Sequence, residues 1–124
     1  MKISHLTQTH WASYKYLVMA HSQVEYNYIR KLFKGNEWSP LKETSYQAAL
    51  TRALNTPPTI GSLTNAYQHI WGYFKHVATS SEKALFQDYL GHLTLTEDLV
   101  RPFLSQLTIT YQVPYLLKTK LLFD

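Results

Sequence analysis

Apolar residues recur along most of this chain at three- and four-residue spacing, the signature of helices that bury one face. From Thr7 to His21 they fall at Trp11, Tyr14, Leu17 and Val18, with His21 one turn further on. Ser22-Gln-Val-Glu25 has the form of a capping box, so a second helix, or a sharp kink, is expected there. It should run to about Lys34, where Gly35-Asn36 is a stop signal. Ser39 and Pro40 suit the N-cap and first position of a third helix, which continues through Tyr46, Ala49, Leu50 and Ala53 to about Leu54.

The double proline in Asn55–Thr59 forces a loop. Thr59 or Ser62 then opens a fourth helix, expected to reach about Ala78. Thr79-Ser-Ser-Glu82 is a second capping box and starts a fifth, through Leu85, Phe86, Tyr89 and Leu90, with Gly91 ending it. Thr96, followed by Glu97 and Asp98 at the positive end of the helix dipole, starts a sixth that reaches about Gln112, with Pro102 in or near its first turn. Pro114 opens a short piece, Tyr115–Phe123, whose Leu116, Leu117, Leu121 and Phe123 should dock. Leu107–Tyr111 alternates like a strand, but a single strand has nothing to pair with, so helix is preferred. The pattern predicts an all-α fold: one domain, residues 1–124, a bundle of about six helices with short connections.

Composition narrows the class without naming an activity. The 124 residues suffice for one core, and 45% hydrophobic with 16% charged residues is globular rather than disordered. The net charge of +4 is uneven. Residues 1–62 carry seven Lys/Arg against three acids, and Met1–Lys34 carries five (Lys2, Lys15, Arg30, Lys31, Lys34) against Glu25 alone. A polyanion suits such a surface, although a solvated helix face would look the same. The absence of cysteine excludes disulfides, thiolate zinc sites and cysteine nucleophiles. No stretch resembles a signal peptide or a membrane span, so a cytoplasmic protein with no membrane partner is expected.

Two segments carry distinctive residues. Ala20-His21-Ser22 with Tyr26 forms an AHSxxxY motif, and Asn65 with His69, Gly72, Tyr73, Phe74 and Lys75 forms NxxxHxxGYFK. Together they resemble the YbgA-type domain, a bacterial family of unknown function, over nearly the whole chain, including Ser80-Ser-Glu-Lys83 and Pro102. The resemblance implies a small helical module that occurs alone or fused to a cysteine-dependent desulfurase domain acting on thiolated uracil or on thiolated uridine in tRNA. In the fusions the helical module is thought to help bind the RNA. With no cysteine in this chain, only the accessory role carries over, and no enzymatic activity is expected.

His10, Tyr14, Leu17 and His21 share one helical face; Asn65, His69, Gly72, Tyr73 and His76 share another. If the faces meet, His21, Ser22, Asn65, His69 and Tyr73 would form a polar pocket, with Gly72 marking a close approach of backbones. That pocket reads as a register-fixing hydrogen-bond network, as a seat for RNA, or as a metal site. The metal reading lacks carboxylates, and no cofactor is expected. A histidine base has no nucleophile and orienting acid beside it. Lys15, Arg30, Lys31, Lys34 and Lys75 are the candidate phosphate contacts. Tyr26, Tyr28, Trp38, Tyr67, Trp71 and Tyr73 are interleaved with them as stacking candidates, Trp38 above all because it sits in a connection. RNA, tRNA in particular, is thus the expected partner. The rival expectation is a protein-interaction module that docks on a separately encoded catalytic partner.

Overall fold

Hydroxyl side chains set where most of the helices begin. In the computed structural model, which describes residues 1–123, Ser4, Ser22, Ser39, Thr59 and Thr79 each accept a hydrogen bond from the amide three residues on. Each such cap is worth about 1 kcal/mol. The helices are α1 (His5–His21), α2 (Gln23–Phe33), α3 (Pro40–Leu54), α4 (Ile60–Trp71), α5 (Ser80–Gly91), α6 (Val100–Thr110) and α7 (Pro114–Leu117), with a 3₁₀ turn at Lys34–Asn36. No strand forms among the described residues; an isolated bridge, Lys2 to Glu37, ties the N-terminal segment to the α2–α3 connection. The all-α bundle expected from periodicity is the fold observed.

The α1–α4 contact is the most extensive in the molecule. Val18, Met19 and Ala20 of α1 and Ala66, Tyr67 and Ile70 of α4 all lie in the core with almost no exposed surface. Each large apolar side chain so buried contributes roughly 1.5–3 kcal/mol. Helices α2 and α3 cover one side of α1, while α6 packs on α4 and carries α5 and α7. Trp11, Phe33, Trp38 and Tyr46 form an aromatic cluster that joins α1, α2 and α3; Phe33 and Trp38 are 4.7 Å apart between ring centroids. The docked C-terminal piece buries Leu116 and Leu121, while Leu117 remains 47% exposed.

Four expectations are corrected. Helix α4 ends at Trp71 rather than near Ala78. From Gly72 on the chain tightens, with Tyr73 and Phe74 amides donating to the Ile70 and Trp71 carbonyls three residues back. This tightening aims Phe74 into the core with no exposed surface and leaves Tyr73, Lys75 and His76 outside. A Cβ on Gly72 would lie 3.1 Å from the His69 carbonyl oxygen, so the close approach there is to its own helix, not to a second one. Thr96 does not cap α6. Thr94 Oγ1 accepts from the Glu97 amide at 2.8 Å, and Asp98 Oδ1 accepts from the Arg101 amide at 3.0 Å, because the carboxylate also receives the Tyr67 hydroxyl and anchors α6 over α4. Glu25 does not reach back to close its capping box, since Arg52 of α3 occupies it through Nε and Nη2 at 2.9 and 3.0 Å.

Candidate nucleic-acid interface

The amphipathic pattern of α2 turns Tyr26 and Ile29 into the core and leaves Arg30, Lys31 and Lys34 in solvent at its C-terminal end. There they line, with Asn27 and Phe33, an open depression of about 560 Å³. Cations at a helix C-terminus also complement its dipole. Lys15 of α1 is half-buried nearby; burial pushes its ammonium below the usual value, and the charge of Arg30 pushes it further the same way. The ion pairs of the described residues are Met1 amino group–Glu37, Arg52–Glu25 and His92–Asp88. None involves Lys15, Arg30, Lys31 or Lys34. Of the acids that flank these cations in sequence, Glu25 is committed to Arg52 and Glu37 lies 3.7 Å from the Met1 amino group. No acid of the described residues therefore neutralises the basic face. Lys75, on the turn after α4, is exposed, and no hydrogen bond or ion pair links it to the other four.

The two signature segments meet, but not through their histidines. Asn65 Nδ2 donates to Gln23 Oε1 at 2.7 Å, and Ser62 Oγ donates to the Ala20 carbonyl at 2.6 Å. His21 Nδ1 pairs with the Thr56 carbonyl and His69 Nδ1 with the Asn65 carbonyl, each at 2.8 Å. Ser22 is used as the cap of α2. Tyr73 lies elsewhere, with its hydroxyl 3.5 Å from that of Tyr16. The five residues expected to share one polar pocket thus take separate partners: Ser22 caps α2, His21 and His69 bond to backbone carbonyls, Asn65 to the Gln23 side chain and Tyr73 to Tyr16. Each histidine finds a backbone carbonyl within reach, His69 on its own helix and His21 on the α3–α4 connection 35 residues away. Among the described residues no group of three potential metal ligands converges.

Most of the stacking candidates are packed inside. Tyr26, Trp38 and Tyr67 are buried and Trp71 is half-buried, stacked on Phe86 at 4.3 Å. Trp38 occupies the connection because its ring completes the α1–α3 aromatic cluster, with its indole N–H donated to Glu43 at 3.2 Å. Tyr67 gives its hydroxyl to Asp98 and receives Arg101 Nε at 3.2 Å. Burial, then the Asp98 hydrogen bond, pushes that phenol far above its usual range. Tyr28 is 40% exposed, under the Arg52 guanidinium at 5.4 Å. Tyr73 is 42% exposed and stacked on Tyr115, a residue that sequence reasoning did not single out. Its place one residue after Pro114 was the available signal.

No helix of the described residues is long and apolar enough to cross a membrane. No curated protein and no solved structure matches the chain. The model of the family described as "Protein of unknown function (DUF1722)" matches residues 15–123, which include both signature segments, the α5 capping box and the whole of α6. The chain belongs to the DUF1722 family, with which the YbgA-type resemblance is consistent.

Proposed function

We propose that this chain is a non-enzymatic, cytoplasmic RNA-binding module, with tRNA as its partner in an accessory role to thiouridine metabolism. The observation that carries the RNA reading is the unneutralised basic face. Arg30, Lys31 and Lys34 are exposed around one depression, Lys15 lies beside Arg30, and no acid of the described residues pairs with any of them. Phosphates would supply the missing counter-charge and release condensed ions on binding. The choice of tRNA comes from the YbgA-type resemblance alone.

The decisive experiment is binding of labelled bulk tRNA to the purified protein at low and physiological salt, beside an Arg30/Lys31/Lys34 triple alanine variant. Binding that weakens steeply with salt and is lost in the variant supports the reading. No binding at low salt overturns it.

A protein-docking role has one observation in its favour. Pro57, Pro58, Leu63, Leu95 and Pro102 line a depression of about 630 Å³ between the α3–α4 loop and the start of α6, and Leu95 stands 62% exposed there. Association through that surface would respond little to salt.

A further inference from the structure

Four phenols from four separate parts of the chain gather beside α1. The hydroxyls of Tyr16, in α1, and Tyr73, on the turn after α4, are 3.5 Å apart. Tyr73 is stacked on Tyr115 of α7, with centroids 6.0 Å apart and planes inclined by 15°. Burial drives the Tyr16 hydroxyl well above its usual range, and the neighbouring phenols of Tyr73, Tyr115 and Tyr26 push it further, which brings Tyr26 of α2 into the same group. Tyr16 and Tyr26 are buried, whereas Tyr73 and Tyr115 leave 42% and 41% of their surface in solvent. A stacked pair so exposed presents a flat π-face with polar hydroxyls at its edge. Tyr115 also walls a depression of about 320 Å³ with Thr9, Ala12, Pro114 and Lys118.

Cations flank this group. Lys15 precedes Tyr16 on α1 and lies close enough to Arg30, one turn beyond Tyr26 at the solvent edge of α2, to feel its charge. Half-buried Lys15 forms no ion pair among the described residues. Two neighbouring cations with no carboxylate partner among the described residues repel each other, and an anion seated between them would relieve that repulsion.

We infer that this cluster seats one unpaired nucleotide of the bound RNA, its base against the Tyr73–Tyr115 pair and an adjoining phosphate on Lys15 and Arg30. The inference rests on the RNA reading above and adds which part of the RNA is gripped. A base inside a duplex has both faces covered by its neighbours and offers none to a tyrosine, so the seat selects a single-stranded or looped nucleotide.

The test compares a labelled eight-nucleotide single-stranded RNA with a blunt RNA duplex of the same length, at one salt concentration. The proteins are wild type, Tyr73→Ala, Tyr115→Ala, the corresponding Phe variants and the Arg30/Lys31/Lys34 triple alanine variant. The alanine variants should lose about five- to a hundredfold in affinity for the single strand, with duplex binding unchanged and the Phe variants close to wild type. Ultraviolet crosslinking of wild-type protein to the single strand needs no variant to fold and should label Tyr73 or Tyr115. If the alanine variants hold the single strand as wild type does, or crosslinks map only elsewhere, the nucleotide seat is wrong. Continued loss of binding in the triple variant would then leave the RNA reading standing. If wild type binds neither RNA, that reading fails and takes this inference with it.

Discussion

Asn65 of α4 and Gln23 of α2 are joined side chain to side chain at 2.7 Å, and Gln23 in turn donates to Asn27 at 2.9 Å. This short chain of amides links the two signature segments, while His69 serves only its own helix. Asn65→Ala should therefore cost about 1 kcal/mol of stability in urea denaturation. His69→Ala should stay within about 0.5 kcal/mol of wild type.

Ser62 has a larger structural role than its size suggests. Its hydroxyl donates to the Ala20 carbonyl at 2.6 Å and accepts from the Thr59 amide at 2.9 Å, closing the α4 capping box while pinning α4 to the end of α1. Ser62→Ala should lower stability by about 1–2 kcal/mol, because it strands groups on two elements at once. The corresponding change at Ser45, which bridges nothing of this kind, should leave the denaturation midpoint nearly unmoved.

Removal of single cations should reveal phosphate contacts one at a time. Lys15→Met keeps the half-buried aliphatic stem and deletes the charge. It should reduce the slope of log affinity for RNA against log salt by about 0.7–0.9 if Lys15 neutralises one phosphate. A slope equal to that of wild type would remove Lys15 from the interface.

Five of the ten tyrosines should resist ionisation while the chain stays folded. Tyr16, Tyr46 and Tyr67 are raised far above the usual value of 10.0 chiefly by burial; Tyr115 is raised by burial too, and Tyr111 by its hydrogen bond to Glu82. The folded state holds these protons while the unfolded chain releases them near 10.0, so stability is intact below that pH and falls as pH rises above it. Phenolate absorbance from these five tyrosines should appear together with loss of the helical circular dichroism signal.

Acid should expose the opposite sign. Tyr111 donates to the Glu82 carboxylate, and the Thr79 amide adds a second hydrogen bond at 2.8 Å, so this carboxyl is held below its usual 4.5. Its contribution is present above 4.5 and lost as pH falls below that value. Glu82→Gln should flatten the decline of melting temperature with pH in that acid range.

The capping hydroxyls at Ser22, Ser39 and Thr79 were legible because each precedes an apolar period and needs only local partners. The end of α4 was not. Gly72 through Ala78 keeps a helical pattern, and what breaks it is the burial of Phe74 and the stacking of Trp71 on Phe86 of α5, both non-local. Trp38 looked like a surface residue because its partners, Phe33 and Tyr46, belong to two different helices. Periodicity placed His21 and His69 on suitable faces but could not say that carbonyls of the nearby backbone would claim them. The basic end of α2 was readable from composition; the absence of an acid partner among the described residues was not, since it depends on Arg52 engaging Glu25 and the Met1 amino group engaging Glu37.

The placement of the three indoles makes the bundle its own spectroscopic probe. Trp11 and Trp38 sit in the aromatic cluster of α1–α3, while Trp71 lies face to face with Phe86 on the far side of the α1–α4 contact. Emission from a chain retaining only Trp71 would follow the α4–α6 half, and one retaining only the other two would follow the α1–α3 half. Superimposable denaturation curves would mean that the two halves melt as one cooperative unit; separated curves would mean that each is an independent foldon.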